Sequence, residues 1–328
     1  MTTVAACDRE RDLVVVADAH VGPDDPELAP FLEFLAARAG DTDRLVLLGD
    51  IFSLWLGEEK FTLPHHRAVL DACAALRAGG VRVTFIEGNR EFSAGVWRGR
   101  AFDEVAESVS AAPWAGRRWL LAHGDLIDPA DRRGHAFRAL IRSRGVRRAF
   151  ALLPARAGLA AGARIERALR HRNLPRKTDV PPSRLRDYAA RIAARGYDAA
   201  VIGHLHVEMT VRDGPGAELF VLPDWRSTHR YLRIPRSGEA RFEWHGPATP
   251  LGPAILSVRE RDGRAQVRLD RPWAAPPGTR VRIAGGHGGP PRAGVVRRTE
   301  AGGFEIDLEL APGEPIQAGD RIEPGREG

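Results

Sequence analysis

An α/β fold is predicted, interrupted by an inserted helical cap and followed by a small all-β module. Three observations predict it. Short apolar runs alternate with amphipathic helical stretches early in the chain. The middle turns to Ala, Leu and Arg at helical spacing. The end returns to short alternating runs between Gly and Pro turns. At 328 residues there is room for one large domain and an appendage.

The elements follow in order. Leu13 to Ala17 is an apolar run that reads as a buried strand, and it ends at Asp18. Pro26 to Ala39 places Leu28, Phe31, Leu32 and Leu35 on one helical face. Arg44 to Leu48 is a second strand, ending in Gly49-Asp50, and Pro64 to Ala78 a second helix. Val81 to Ile86 ends in Gly88-Asn89, Trp119 to Ala122 in His123-Gly124-Asp125, and Ala199 to Ile202 in Gly203-His204-Leu205-His206. Between the last two, Phe137, Leu140 and Ile141 keep helical spacing, and breaks are expected near Pro154 and over Pro175 to Pro182. Short strands follow at Leu219 to Leu222, Tyr231 to Ile234 and Arg241 to Trp244. Three more are read at Val281 to Ile283, Gly294 to Val296 and Phe304 to Leu308. The expected boundaries are a main domain over 1–246 with a cap over about 132–195, a linker from Pro247 to Pro253, and a β module over 254–328.

Composition narrows the classes. Two cysteines, Cys7 and Cys73, exclude a disulfide framework and a thiolate zinc site, and fit a reducing compartment. No stretch is apolar enough to span a bilayer, and the opening residues carry no export pattern. A cytoplasmic protein is expected, with a peripheral seat on the cytoplasmic face of the inner membrane compatible with it. The net charge of +6 is unevenly spread. From Arg132 to Thr178 thirteen Arg and one Lys face a single acid, Glu166, whereas from Leu251 onward twelve Arg face eleven acids. A local cationic excess of this kind points to an anionic partner.

The polar residues at strand ends carry the chemistry. Ligands of open α/β sheets gather at the carboxyl edge of the strands. Here five strand ends deliver Asp18, His20, Asp50, Asn89, His123, His204 and His206 in order. Each alone is an ordinary cap or turn residue. Together they are a set of oxygen and imidazole ligands without thiolate, suited to two divalent cations: manganese first, with iron, zinc, cobalt or magnesium as alternatives. Two such cations roughly 3.5–4 Å apart can clamp a phosphate and activate a water.

The motifs Asp18-x-His20, Gly49-Asp50, Gly88-Asn89-x-Glu91, His123-Gly124-Asp125 and Gly203-His204-x-His206 resemble those of the calcineurin-like metallophosphoesterases, over residues 11 to 245. The resemblance implies an αββα sandwich of two packed sheets. It also implies a first metal on Asp18, His20, Asp50 and His206, a second on Asp50, Asn89, His123 and His204, and Asp50 as the bridge. Within that family, Gly88-Asn89-Arg90-Glu91-Phe92, Gly49-Asp50-Ile51-Phe52-x-x-Trp55-x-Gly57 and the Asp128 and Asp131 that follow Asp125 are similar to the UDP-2,3-diacylglucosamine diphosphatases of lipid A biosynthesis. Glu91 stands where that group has Asp, and the β module has no counterpart there.

That likeness implies cleavage of a nucleotide pyrophosphate, with an anionic glycolipid or nucleotide diphosphate as partner. A nucleotide, phosphoprotein or nucleic-acid phosphodiester is the alternative, nucleic acid being the less favoured. Asn89, Arg90 and Asp131 are the expected substrate contacts. A phosphate leaving group has little need of a general acid, so Arg90, in the position where many relatives have His, is expected to neutralise charge instead.

Overall fold

The computed structural model describes residues 11–107, 109–127, 131–170, 182–212, 216–237, 239–246, 255–261, 264–269, 280–284, 292–299, 305–311 and 321–324. The chain divides into two compact units, Met1–His206 with Thr210–His245, and Gly246–Gly328 with Val207–Met209.

In the first unit, one sheet runs in the order β11-β10-β1-β2-β3-β4 and a second in the order β5-β6-β7-β9-β8. The first is built from β1 (Asp12–Val16), β2 (Thr42–Leu47), β3 (Arg82–Ile86), β4 (Glu104–Ala106), β10 (Arg230–Ile234) and β11 (Arg241–Trp244). The second is built from β5 (Val109–Trp114), β6 (Arg117–Ala122), β7 (Ala199–Ile202), β8 (Met209–Val211) and β9 (Glu218–Val221). Alternation along β1 explains the layering. Leu13, Val15 and Ala17 join Trp119, Leu121, Val201 and Phe220 in a core between the sheets. Val14 and Val16 face the other way, onto α1 (Leu28–Ala37) and α2 (Pro64–Ala78), against Phe31, Phe34, Leu35, Val69 and Leu70. Each such side chain taken fully out of water contributes about 1.5–3 kcal/mol. Being buried on both faces is why β1 and β2 read as unbroken apolar runs rather than alternating ones.

Parallel register brings the strand ends together. β1 pairs with β2 through Val16↔Leu47, β2 with β3 through Leu47↔Phe85, and β6 with β7 through Ala122↔Ile202. Pairing continues past the strands, with the Asp18 N–H donating to Gly49 O (3.0 Å), His20 N–H to Asp50 O (2.9 Å) and Gly203 N–H to His123 O (2.9 Å). The loops that carry the predicted ligands therefore leave the two sheets side by side.

The segment read as a cap holds α3 (Arg132–Ile141), α4 (Arg144–Leu152), α5 (Ala155–Arg170) and α6 (Pro182–Ala194). Of these, α6 packs on β7 and β9 with Leu185, Ala189 and Ile192 buried, so it is the outer layer of the second sheet. Of the other three, α3 reaches the Gly88 loop through Arg142, which follows its last residue, and α5 packs on Glu59–Phe61. Lys60 Nζ donates to Leu153 O at 2.9 Å and so satisfies an end carbonyl of α4. Leu140 and Leu152 project outward, the latter 85 % exposed.

The second unit is one antiparallel sheet in the order β12-β13-β16-β15-β14-β17. Its strands are β12 (Ile255–Arg261), β13 (Arg264–Leu269), β14 (Arg280–Ala284), β15 (Arg292–Thr299), β16 (Glu305–Leu310) and β17 (Arg321–Pro324). Val267, Ile283, Val296, Leu308 and Ile322 are buried. The expected runs at Val281, Gly294 and Glu305 fall in β14, β15 and β16. Residues 247–253, read as a linker, lie outside the described residues.

Candidate metal centre

The ligand loops bend sharply off their strands. Asp18 (φ 55°), His20 (46°), Asp50 (51°), His204 (67°) and His206 (56°) all have left-handed backbone, a conformation that costs a residue with a Cβ about 1–2 kcal/mol. Of the nine non-glycine residues with positive φ among those described, five are predicted ligands. Strain of this kind concentrates where side-chain direction matters more than local comfort.

Two glycines permit the close approach. A Cβ at Gly88 would stand 2.2 Å from Asp50 Oδ1 and 2.4 Å from Asp50 N. At Gly203 it would stand 2.7 Å from Asp18 Oδ2, the oxygen that accepts the His204 N–H at 2.8 Å.

All seven predicted side chains meet. Asp18, His20 and His206 form one group: His206 Nε2 lies 3.2 Å from Asp18 Oδ1, and His20 Nε2 lies 3.7 Å from that oxygen and 3.5 Å from His206 Nε2. Asp50, His123 and His204 form the other, with His123 Nε2 3.5 Å from Asp50 Oδ1 and 3.3 Å from His204 Nδ1. Asn89 joins the second group, one of its terminal amide atoms standing 2.9 and 2.7 Å from the two Asp50 oxygens. Asp18, Asp50 and His123 are fully buried. Burial opposes the charge on Asp18, but His206, His123 and His20 around it hold its carboxyl well below the usual carboxylate range.

The donor set fits cations. His123 Nδ1 lies 3.0 Å from Leu48 O. A proton held there for that carbonyl leaves the Nε2 lone pair facing the Nδ1 of His204. The Asn89 amide, with its NH2 group toward Asp50, donates to both carboxylate oxygens, at 2.9 and 2.7 Å. Imidazole lone pairs and oxygens aimed at one another repel unless a proton or metal ion lies among them. Oxygen and imidazole donors without thiolate suit the divalent metals expected from the sequence.

Supporting contacts hold the carboxylates in place. Glu91, fully buried, accepts the N–H groups of Asp50 and Gly88 (both 2.8 Å) on Oε2 and that of Phe52 (3.1 Å) on Oε1, tying two ligand loops together. Burial, with the charge of Asp50, pushes its carboxyl up to about 8. The sequence places this acid two residues after Asn89 but does not show its role, because its partners are backbone groups. Arg90 lies with Nε 3.9 Å from Asp50 Oδ2, while its own N–H donates to Asp50 Oδ1 at 3.0 Å. Asp131 is exposed and is the N-cap of α3, accepting the Gly134 N–H at 3.0 Å, and among the described residues no contact joins it to either ligand group.

The family described as calcineurin-like phosphoesterase matches residues 12–208. The chain belongs to that family. This calcineurin-like phosphoesterase is similar to a protein named UDP-2,3-diacylglucosamine hydrolase in Stenotrophomonas maltophilia, at 32% identity over 68% of this chain and 94% of the relative. A protein of the same name in Aeromonas salmonicida is 30% identical over 70% of this chain and 91% of that relative. Among solved structures, a dimetal phosphatase from Danio rerio aligns over 73% of this chain and 100% of its own, at 14% identity and a TM-score of 0.38. Family and curated relatives together make the chain a metal-dependent hydrolase.

Proposed function

We propose that this hydrolase cleaves the pyrophosphate of UDP-2,3-diacylglucosamine, giving UMP and 2,3-diacylglucosamine 1-phosphate. The relatives' names supply the substrate class. The observation that carries the reading is Arg90, a permanent cation beside Asp50 at the position after Asn89. A diphosphate is the substrate that suits this choice, since its leaving group needs charge neutralised more than it needs a proton. Asp18, His20, Asp50 and His206 would hold one divalent ion, and Asp50, Asn89, His123 and His204 a second, with manganese the expected metal. When bound, the ions would supply Lewis-acid polarisation of a phosphoryl oxygen and activation of a water. The chain's own part is to fix those ligands on two sheet edges, to keep His123 in one tautomer through Leu48 O, and to set the Arg90 guanidinium over the phosphates. The exposed Arg144, Arg148, Arg156 and Arg164 of the α3–α5 segment, with the outward Leu140 and Leu152, fit an anionic lipid surface on the cytoplasmic side of the inner membrane. No described helix is long and apolar enough to cross a membrane.

The test is turnover of a short-chain UDP-2,3-diacylglucosamine by the full chain with manganese, with products identified by mass. UMP and the lipid 1-phosphate are expected. Cleavage of a generic aryl phosphodiester alone, with the nucleotide lipid left intact, would overturn the substrate while leaving the family chemistry in place.

A further inference from the structure

One cation near the site is not used by this reaction. Arg142 follows the last residue of α3, with its side chain 9 % exposed. Its guanidinium lies among acceptors of one loop: Nη2 donates to Gly88 O at 2.8 Å, and is 3.4 Å from Glu91 O and 3.5 Å from Glu87 O. Nη1 is 3.1 Å from the Glu87 carboxylate, itself buried, and donates to Glu107 O.

The loop so held is the one that carries Asn89 and Arg90. Its N–H groups have carboxylate partners: Gly88 donates to Glu91 and Ala94 to Glu87 within the loop, and Arg90 to Asp50 of the neighbouring loop. Its carbonyls at 87, 88 and 91 turn to a side chain 51 to 55 positions away in sequence. Gly88 O belongs to the peptide plane that immediately precedes Asn89. Glycine offers little resistance to rotation, so the guanidinium's grip on that oxygen decides where the Asn89 side chain starts. Asp50 has a further hold, its N–H donating to the Glu91 side chain at 2.8 Å. Among the described residues, the partners of Arg142 are Glu87, Gly88, Glu91 and Glu107, none of them a residue of the Asp18, His20 and His206 group.

We propose that Arg142 is a positioning residue for Asn89: it locks the Gly88–Asn89 peptide so that the amide faces Asp50, and so sets the affinity of the second metal position but not of the first. The proposal rests on the two-ion reading above. An arginine is needed because its flat fork spans several carbonyls and a carboxylate at once, whereas a lysine offers one point of attachment. The helical segment is thereby part of the metal centre's construction and not only a cover for substrate.

The test uses the full chain with Arg142→Lys, which keeps a positive charge beside Glu87, and Arg142→Met, which keeps the bulk. Manganese binding is followed by calorimetry and by the spin-coupled spectrum of a manganese pair. The wild type should take up two ions and give the coupled signal. Both variants should bind the first ion as the wild type does and the second about 10–100-fold more weakly, the range found for partners that orient metal ligands. At limiting manganese they should show an isolated-ion signal. Wild-type affinity for both ions in either variant would overturn the proposal. So would equal loss of both, or failure of both variants to fold, since the residue would then serve the structure at large. A wild type that binds no pair would instead overturn the two-ion reading itself.

Discussion

Replacing Gly88 by Ala puts the geometry of the centre to a direct test. The new methyl would stand 2.2 Å from Asp50 Oδ1 and 2.4 Å from Asp50 N, where an ordinary contact is 3.4 Å or more. The carboxylate, or the loop that carries it, must therefore retreat by about 1.2 Å, and a shift near 1 Å at a reacting centre costs on the order of 10²-fold in rate. The obstacle cannot swing aside cheaply. Asp50 is fully buried, and its N–H is bound at 2.8 Å by a carboxylate, that of Glu91, which also holds Gly88 N. Overpacking of this kind costs about 1–3 kcal/mol of stability, which leaves the fold populated when total stability is about 5–15 kcal/mol. Expected, then, is a folded Gly88→Ala protein whose kcat/KM on an aryl phosphodiester at saturating manganese falls by about 10²-fold or more. Circular dichroism and urea titration check the first half, and initial rates the second. A variant within threefold of the wild-type rate would mean that Asp50 need not sit where the two loops hold it.

The other expectations concern ligands, charge and pH. Asp50→Ala and His123→Ala should each abolish nearly all hydrolysis while far-UV circular dichroism stays unchanged; wild-type rates in either would break the assignment. Arg90→Ala should slow a diphosphate substrate by about 10²–10³-fold, the cost of losing one charge-stabilising donor, and a simple monoester by less; equal losses on both would undercut its role. Manganese at about 100 times its dissociation constant should raise unfolding free energy by about 2.7 kcal/mol per ion over a chelator-treated sample, and an unchanged urea midpoint would contradict the ligand set. His66 is neutral in the fold, burial and the neighbouring His65 pushing it down to about 3, against 6.5 when exposed. The unfolded chain therefore binds the extra proton between those values, so stability is full above pH 6.5 and falls on acidification, by about 1.4 kcal/mol per pH unit below it. A His66→Gln variant, whose amide can still accept the Leu63 N–H, should lose that slope between pH 6.5 and 5 in urea titrations, and an identical slope would show that His66 does not titrate on unfolding.

The candidate ligands were legible because each follows an apolar run. Val16 and Leu47 are buried on both faces, so their strands show as unbroken runs, and the first polar residue beyond the end stands out. β5 was not legible. It alternates small residues with exposed ones and contains Pro113, which a strand at the edge of its sheet tolerates. β12, β13 and β17 hid for a similar reason, being dense in Arg and Glu. The expected cap ran through α6 because composition does not say which sheet face a helix covers, and α6 covers β7 and β9. Glu91 and Arg142 were out of reach on physical grounds. Both work by binding backbone N–H and C=O groups, which every residue has and no motif displays.

Those two residues also explain how a strained centre can persist. Five ligands at about 1–2 kcal/mol each carry a backbone cost comparable to the whole stability of an ordinary domain. Two sets of imidazole and carboxylate groups are meanwhile turned toward one another in a buried place. The loops' own Ala19, Val21, Ile51 and Phe52, all fully buried, offset part of that cost. The rest is met by the apolar layers on both faces of β1 and β2 and by polar side chains that bind the loops' backbone from either side, Glu91 on the N–H side and Arg142 on the C=O side. A scaffold of that kind leaves the ligands little freedom to relax, so a cation arriving there finds them already placed. The backbone pays before binding what flexible ligands would otherwise have to lose on ordering.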